Sequence, residues 1–569
     1  MADAAGTLHE TDVLIVGAGA GGLFAALSAK RHGPPGTRVI LLDTATVGRA
    51  GHTVFSNAGT IVAMPEDDLE AVVREIVVGN DGIADQHLVR DVLFESFDRV
   101  QDLEELGVEV LKDEGGGYAR SATRGLDQTR KIFPMGGGLE MAWKLRQGLE
   151  ALGVTFLNRF FVTGLMKAGG DRVVGAVGVS ARTGAFAAIR ARVTIVATNS
   201  VTFRPGFARD ITGTGTLLAY EAGATLRNAE FSYARPGTPN FYFEGITDAV
   251  QDGAHWTNQH GERFMLQYEP EWGDEADVPR VSRAMALEHQ KHNDPLYLDM
   301  SGIPESTRAG YMENKVPWMA LFYKKLGEEA RTNMFGRTPY YPMNQMTKMG
   351  VRTDRACRSD IPGLLVAGLA QAGCANHFAG FHLTMANGTG WIAGRTAVEE
   401  LESAPVPKLD RTEIAAFQAG LDATVDVSAG ESSDQLLRKV QTVMLACDVA
   451  LWKSAERLQD ALAVIRELAA EAATLRAPHA HEYVRLVETK AMVTAAEIVL
   501  EASLFRTESR LAHLREDYDF RDDDDWLAWV DVTQNDGRPR LSKTAIPTPL
   551  CDVRATAAGP IKRVVKGAL

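Results

Sequence analysis

Three glycines near the start of the chain have the spacing of a phosphate-binding turn. Gly17, Gly19 and Gly22 separate an uncharged apolar run from an alanine-rich segment, and Asp43 ends the next apolar run. A strand, a glycine turn and a helix in this order bring a helix N-terminus to a phosphate. An acidic residue at the end of the second strand can accept hydrogen bonds from a ribose. The spacing predicts a βαβ unit that binds a dinucleotide.

The elements around this unit indicate an α/β domain that is interrupted. Apolar strand patterns recur at 155–158, 173–179 and 192–197, and a further one at 363–368 reads as a return to the same sheet. Between about 238 and 336, Trp, Tyr, Pro and charged residues increase and the periodicity fades, as expected of an inserted domain. An interrupted sheet with an insertion favours FAD over NAD as the dinucleotide.

Composition and charge exclude several classes of protein. The chain has 569 residues, 45% hydrophobic and 24% charged, which is ordinary globular usage. Its net charge of −14 has no long single-sign block, so a nucleic-acid partner is not expected. The uncharged run 13–29 is short for a bilayer span and is broken by four glycines, so no integral membrane segment is predicted.

Cysteine and histidine usage predicts no metal centre. The 4 cysteines are far apart and form no CxxC pair, which argues against an iron–sulfur cluster or structural zinc within this chain. Few cysteines and a polar, acidic N-terminus without an apolar stretch suit the cytoplasm. His479 and His481 are interpreted as solvated residues of a polar turn.

Ordered motifs along most of the chain resemble one family. Arg49-Ala-Gly-His52-Thr53-Val54 is similar to the "SHTVAAQGGI" segment of succinate dehydrogenase and fumarate reductase flavoproteins, a group that includes aspartate oxidase and adenylylsulfate reductase. The long run from Leu504 to Leu527 follows "AL.RKESRGAHYREDYPERDD..WL" closely. Shorter matches are Thr212–Gly215, Glu230-Phe231, Gly261–Met265, Pro279–Ala284 and Leu296–Asp299.

The resemblance implies the fold class and the division of the chain. It is α/β, with a Rossmann-like FAD-binding domain interrupted by an α+β capping domain and followed by a helical C-terminal domain. The expected boundaries are 1–235 and 339–408 for the two parts of the FAD-binding domain, 236–338 for the capping domain, 409–533 for the helical domain and 534–569 for an irregular tail.

The resemblance also implies how FAD is held. His52 matches the histidine that the respiratory members bond covalently to the flavin 8α-methyl group, although the family's following AQGG is SNAG here. Two interpretations stay open: a covalent bond, or a loop histidine beside a non-covalent flavin. Asn387 and Gly388 are expected at a helix start facing the flavin pyrimidine. Further flavin contacts are predicted at Thr53, Ala197 and Gly368.

The expected proton carrier is Arg280, which matches the arginine of the family's "PRD" segment. In the family this arginine moves a proton to the substrate carbon, while hydride passes between the other face of that carbon and flavin N5. Free guanidinium has a pKa above 12, so it needs a relay to lose a proton. The family's acid after this arginine is Val281 here.

The residues that clamp a dicarboxylate in the family are largely changed. His377 matches the histidine of "HGANR", but the arginine of that motif is Phe381, with His382 beside it. Arg235 stands where the family has the histidine of "HPT". Two arginines that each bind a carboxylate define a C4-dicarboxylate site, so succinate and fumarate are not the expected substrates.

The resemblance implies an FAD-dependent oxidoreductase that forms or reduces a carbon–carbon double bond of an organic substrate. Arg280, His377, Arg235 and His382 are the expected catalytic and positioning residues. One alternative is an oxidase that acts on C–N or C–O bonds with O₂. Another is a subunit, like that of adenylylsulfate reductase, that works with an iron–sulfur or ferredoxin-like electron-transfer protein. Homo-oligomerisation stays open.

Overall fold

The first part of the chain alternates strands and helices around the glycine turn. The computed structural model describes residues 7–49, 51–205, 211–238, 246–309, 335–376, 378–408 and 410–553. Its first elements are β1 (Thr7–Val16), α1 (Ala20–His32), β2 (Val39–Asp43), α2 (His52–Phe55), β3 (Thr60–Ile61), α3 (Leu69–Gly79), α4 (Gln86–Phe94), α5 (Ser96–Glu105), β4 (Ser121–Thr123), β5 (Leu126–Ile132), α6 (Gly137–Ala151), β6 (Thr155–Asn158), β7 (Phe160–Ala168), β8 (Arg172–Ser180) and β9 (Phe186–Val196).

A mixed sheet forms the centre of this domain. Its strand order is β6–β2–β1–β9–β8–β7, in which β6, β2, β1 and β9 are parallel and β8 and β7 are antiparallel. The register pairs Val16 with Leu42 on one side and with Val196 on the other. Because β2 and the carboxyl-terminal halves of β1 and β9 are buried, their sequences there are near-continuous apolar runs. The carboxyl ends of β1, β2 and β9 therefore meet at one edge, where the glycine turn lies.

The inserted region builds a second, antiparallel sheet. Residues 214 to 351 form α7 (Thr214–Glu221), β10 (Leu226–Arg227), β11 (Ser232–Gly237), α8 (Ile246–Gln251), β12 (His255–Thr257), α9 (Met265–Tyr268), α10 (Val278–Gln290), β13 (Leu296–Asp299), α11 (Glu305–Ala309), β14 (Arg337–Thr347) and β15 (Gly350–Val351). Of these, α7, β10 and β15 flank the insertion, and β10 and β15 belong to a separate sheet. The order β11–β14–β13–β12 is antiparallel throughout, as expected of an α+β domain. The predicted boundaries at 235/236 and 338/339 fall inside β11 and β14.

The chain then returns to the central sheet through β16 (Leu364–Val366), which pairs with β9 in parallel as the sequence predicts. It continues into α12 (Phe381–Leu401), a 21-residue helix packed along α1. Two glycines allow this close packing, since an added Cβ at Gly390 would lie 2.3 Å from the Gly21 carbonyl oxygen and one at Gly394 would lie 2.3 Å from the Ala25 carbonyl oxygen.

The C-terminal part is helical, as predicted, until residue 505. Its elements are α13 (Arg411–Thr424), α14 (Ser433–Met444), α15 (Cys447–Ala450), β17 (Trp452–Lys453), α16 (Ala455–Thr474), α17 (Ala480–Phe505), β18 (Leu514–Arg515), α18 (Asp523–Trp526), β19 (Ala528–Asn535) and β20 (Arg538–Ala545). The prediction of an irregular tail after 533 is wrong for 534–545. There β19 and β20 form a hairpin that joins the sheet of β10 and β15. The residues of β20 are mostly polar and exposed, so its sequence does not show the apolar alternation of a strand.

A buried ionic network joins the helical domain to the segment between β10 and β11. Arg506 donates to Glu230 at 2.8 Å and to Glu508 at 2.7 Å, and all three side chains are fully buried. Arg510 donates to Glu508 at 2.7 Å. Breaking one partner of such a network leaves a buried charge uncompensated, so the charged run near the C-terminus is structural rather than a solvated helix face. Among the described helices, none is long and apolar enough to cross a membrane.

Candidate active site

The glycine turn has the geometry that its spacing predicts. Gly17 has φ +104°, and an added Cβ there would lie 2.8 Å from the Ala197 carbonyl oxygen. Gly22 packs directly against the turn, since an added Cβ there would lie 1.9 Å from the Gly17 carbonyl oxygen. Gly19 is the N-cap of α1 and so offers no side chain to the first-turn N–H groups. The turn thus leaves a helix N-terminus open to an anion, which fits the diphosphate of FAD.

Asp43 shapes the next loop at the same edge. Its Oδ2 accepts a hydrogen bond from the Ala18 N–H at 3.0 Å, and its Oδ1 accepts one from the Ala45 N–H at 2.8 Å. Burial raises the pKa of this carboxyl group above its usual value, while the two backbone hydrogen bonds oppose the shift. The side chain lines a cavity beside the glycine turn, where the predicted ribose contact would be made.

A cavity of about 1050 Å³ runs from this edge to the inserted domain. All three parts of the chain contribute to its wall, so the dinucleotide cradle and the space under β11 are continuous. Of the predicted flavin contacts, His52, Thr53, Ala197 and Gly368 line it with Gly17, Gly19 and Asp43. The inserted domain contributes Tyr233, Arg235, Thr247, Asp248 and Val278, and the helical domain contributes Asp434, Arg438, His481, Arg485 and Glu488.

His52 and Thr53 begin α2 in the middle of this wall. The Thr53 Oγ1 accepts a hydrogen bond from the Ala20 N–H at 3.0 Å and so fixes the start of α1 against α2. Burial, together with the positive charges of Arg235 and Lys348, lowers the pKa of His52 to about 4. The imidazole is therefore neutral at pH 7, which is the form that can act as a nucleophile.

The part of the cavity near β11 is rich in cations. Arg235 lines it, together with Arg124 and Lys131, which the sequence motifs did not single out. Burial lowers the pKa of Arg124 to about 10 and that of Lys131 to about 8, so both side chains carry charge at pH 7. Asp248, on the same wall, is the acid whose negative charge acts on both cations. This surface is suited to an anionic ligand.

His382 also lines this part of the cavity, and it is paired with a lysine. The Lys348 Nζ lies 3.3 Å from the His382 Nε2, and burial lowers the pKa of Lys348 to about 7. The His382 ring meets the Tyr233 ring edge-on at a centroid distance of 4.8 Å. Sequence reasoning identified His382 but missed Lys348, because it follows β14 in a segment without a recognisable motif.

Arg280 does not line the cavity. Its guanidinium lies 3.6 Å from Glu269 and 3.7 Å from Asp277, and the side chain is 41% exposed. Asp277 is the N-cap of α10, since its Oδ1 accepts the Arg280 N–H at 3.0 Å. Two acids that precede Arg280 in sequence, Glu269 and Asp277, thus lie beside its guanidinium. Asp277 is buried and electrostatically coupled to Arg124, which connects this cluster to the cavity wall.

Asn387 and Gly388 are not where the sequence predicted. The helix begins at Phe381, so both residues lie in its second turn rather than at its start. An added Cβ at Gly388 would lie 2.7 Å from the Val92 Cβ, so Gly388 packs against α4. Asn387 lines a separate pocket of about 20 Å³. The helix start that does reach the cavity is formed by Ala379, Gly380 and Leu383.

Two positions match the family motif that clamps a dicarboxylate, Phe381 and His377. Phe381, at the position of the clamping arginine, is fully buried in the hydrophobic core. His377 lies outside the described residues. Among those residues, no three His, Cys, Asp or Glu side chains come together as metal ligands. His481 is exposed, in line with its interpretation as a solvated residue, and it also lines the cavity.

The parallel sheet, the open turn at α1 and the continuous cavity define an FAD-dependent oxidoreductase. Residues 12–388 match the model of the FAD-binding domain family, and residues 438–563 match the fumarate reductase flavoprotein C-terminal family. The chain therefore belongs to the succinate dehydrogenase/fumarate reductase flavoprotein family.

Individual relatives agree over nearly the full length. A subunit of the fumarate reductase (CoM/CoB) of Methanothermobacter marburgensis is 28% identical over 90% of this chain and 95% of its own. L-aspartate oxidase of Streptomyces coelicolor is 27% identical over 94% of each chain. A solved quinol fumarate reductase of E. coli has the same fold, with a TM-score of 0.86 and 23% identity over 96% of this chain and 99% of the other.

Proposed function

We propose that the protein forms or reduces a carbon–carbon double bond of an organic anion, with hydride exchanged between flavin N5 and a substrate carbon. Bound FAD supplies the two-electron chemistry. One observation carries the proposal: the cradle of Gly17, Gly19 and Asp43 shares a single cavity with Arg235 and Asp248. A substrate held under β11 would therefore lie in the same enclosed space as the cofactor.

The substrate that we propose is an organic acid other than succinate or fumarate. A dicarboxylate needs two charged clamps, and Phe381 removes one of them while its ring is committed to the core. Arg235 and His382 line the cavity and are proposed to orient the substrate, together with His377. The cationic side chains near β11 outnumber the acidic Asp248 in the cavity wall. This excess of positive charge supports recognition of an anionic group at one end of the substrate.

Arg280 remains the proposed proton carrier, with its acids supplied from different positions than in the family motif. Burial disfavours its charge, but Asp277 and Glu269 outweigh burial and raise its pKa above the usual value. A guanidinium held charged by two carboxylates can pass a proton along the chain of groups rather than act as a free base. Glu269 and Arg280 are partly exposed and Asp277 is buried, which gives the path a direction from solvent towards the interior.

Anaerobic reoxidation of the reduced holoenzyme tests this proposal. Dithionite-reduced protein is mixed with fumarate, with α,β-unsaturated monocarboxylic acids and with no substrate, and recovery of the oxidised flavin absorbance is followed. We expect reoxidation by a monocarboxylic acid, with the saturated acid as product, and a much slower reaction with fumarate. Arg280→Ala should slow this step at least a hundredfold. Equal rates for Arg280→Ala and wild type would contradict the proton path.

A second candidate function is oxidation of a C–N or C–O bond with O₂. The L-aspartate oxidase relative favours it, at 27% identity over nearly the whole chain. Reduced protein that is reoxidised by air within seconds, with one hydrogen peroxide per flavin, would support the oxidase over the reductase. A third candidate is a flavoprotein subunit served by an iron–sulfur or ferredoxin-like partner, favoured because the methanogen relative is itself named as one subunit of its enzyme.

A further inference from the structure

Arg124 and Lys131 have no role in the proposed hydride and proton transfers, yet both are buried in the cavity wall. Arg124 lies in the turn between β4 and β5 and is 6% exposed, and Lys131 lies on β5 and is 4% exposed. We propose that Arg124, Lys131 and the N-terminus of α12 form a subsite that binds one carboxylate of the substrate. The subsite identifies the chemical class of the ligand as a carboxylate. It rests on the proposed function only because the two share the same cavity.

The Arg124 guanidinium is the first support for a ligand. Its Nε and Nη1 are buried without a hydrogen-bond partner among the residues that the structure describes. When the N–H donors of a buried charged group make no hydrogen bond, the free-energy cost is several times what an ordinary hydrogen bond contributes. Its charge is felt by Asp277 and Asp248, but neither accepts a hydrogen bond from these two nitrogens. Both nitrogens carry N–H donors, and a carboxylate oxygen is a charged acceptor that either of them can use.

Lys131 places a second cation beside a helix N-terminus. An added Cβ at Gly380 would lie 3.0 Å from the Lys131 Cγ, so the lysine stem lies along the N-cap of α12. Gly380 caps this 21-residue helix without a side-chain hydrogen bond, and Ala379, Gly380 and Leu383 line the cavity. The N–H dipoles of the first turn and the Lys131 ammonium therefore favour an anion at the same place.

The start of α12 has no charged side chain in its first helical position, and its cation comes from a neighbouring strand. In this chain the first helical residue is Phe381, which is buried, and β5 brings Lys131 to the helix start instead. The groups facing the subsite are Arg235 and Asp248 from the inserted domain, and Asp277 at the start of α10. Asp277 is already balanced by Arg280, so cations remain in excess and the subsite attracts an anion.

Fluorine-19 NMR of trifluoroacetate with the FAD-loaded protein tests the subsite, with trifluoroethanol as the neutral probe of the same shape. We expect the protein to broaden the trifluoroacetate line and not the trifluoroethanol line. Arg124→Gln and Lys131→Met should each weaken trifluoroacetate binding about tenfold or more. Arg130→Gln is the matched control, because Arg130 lies next to Lys131 on β5 and donates to the backbone oxygens of Asp127 and Thr129.

The outcomes separate this inference from the proposed function. Absence of trifluoroacetate broadening, or unchanged broadening in Lys131→Met protein with a native flavin spectrum, would overturn the subsite. Should Arg124→Gln fail to fold, Lys131→Met alone decides, since a methionine retains the stem that packs on Gly380. Protein that binds trifluoroacetate through these residues but reduces no double bond would keep the subsite and contradict the proposed reaction.

Discussion

The Nζ of Lys348 lies 3.3 Å from the Nε2 of His382, and both groups contact the Tyr233 ring at the edge of the cavity. Two side chains that can each hold a proton thus share one position beside the proposed substrate space. Burial lowers the pKa of Lys348 to about 7, so near neutral pH its amine is partly protonated and can donate a proton. This pair is a second place, besides Arg280, from which a proton could enter the cavity.

The first prediction concerns the cost of burying Lys348. In the unfolded chain a lysine titrates near 10.5, and in the folded protein near 7. Between these values the unfolded state holds the proton that the folded state lacks, so this group makes stability rise with pH, and its full cost applies below pH 7. Lys348→Met should therefore stabilise the protein by a few kcal/mol at pH 6.5, at about 1.4 kcal/mol per pKa unit, and much less at pH 9.5. Urea midpoints at the two pH values measure this difference. An equal effect at both would show that packing, not charge, is responsible.

The glycine turn gives the second prediction. Gly17→Ala forces a Cβ to 2.8 Å from the Ala197 oxygen at φ +104°, whereas Gly36→Ala has a similar φ of +92° with nothing within 4 Å. In the Gly36 variant, backbone strain alone should lower the free energy of unfolding, by about 1 to 2 kcal/mol. The Gly17 variant should lose more stability and most of its FAD. Thermal unfolding and the flavin-to-protein ratio measure both. Similar FAD content in the two variants would contradict the role of this turn.

These two sites show which features sequence reasoning can reach. The glycine turn and Asp43 were predictable because their geometry is set by residues within one βαβ unit. Lys131 was not, since its position at the start of α12 depends on how β5 packs against a helix about 250 residues later. The hairpin β19–β20 was missed because it completes a sheet with β10, a two-residue strand without its own period.

The position of α12 was mispredicted for a related reason. The sequence predicts a helix start at Asn387 and Gly388, whereas Gly388, Gly390 and Gly394 form the contact surface against α4 and α1. A small residue in a buried helix can serve packing as well as termination. Distinguishing the two requires the neighbouring helix, which the local sequence does not contain.

Asp43 gives the third prediction. The two carboxylate oxygens of Asp43 accept hydrogen bonds from the backbone N–H groups of Ala18 and Ala45, and Asp43→Asn replaces one of these oxygens by an NH₂ donor. The loop should therefore open, and FAD should bind at least tenfold more weakly. Asp12→Asn is the control, because Asp12 pairs with the exposed Arg38 at the amino-terminal side of the turn. Purified protein is assayed for flavin content and for recovery on adding FAD. Full flavin content in the Asp43→Asn protein would exclude Asp43 as a cofactor ligand.

The fourth prediction decides between the two interpretations of His52. Because its pKa is lowered to about 4, the imidazole is neutral at pH 7 and can bond to the flavin. After acid precipitation we expect the flavin to stay with the protein, on the peptide that contains His52. His52→Gln should release it, while His481→Gln, another histidine of the cavity wall, should not. Yellow colour in the wild-type supernatant would establish a non-covalent flavin.

The last prediction tests whether the family's clamp can be restored by one substitution. Phe381 is fully buried, packed in the core with its backbone N–H donated to the Phe378 oxygen at 2.8 Å. Phe381→Arg must bury a charge in an apolar environment, so it should cost about 3 kcal/mol or more, while Phe381→Leu should cost about 1 kcal/mol. Urea unfolding measures both, and fumarate-dependent reoxidation of the reduced flavin follows any gain of function. We expect no gain, because the arginine would begin inside the core rather than in the cavity. A stable Phe381→Arg protein that reduces fumarate would show instead that the chain lies one substitution away from a dicarboxylate site, and that Lys131 does not replace the lost charge.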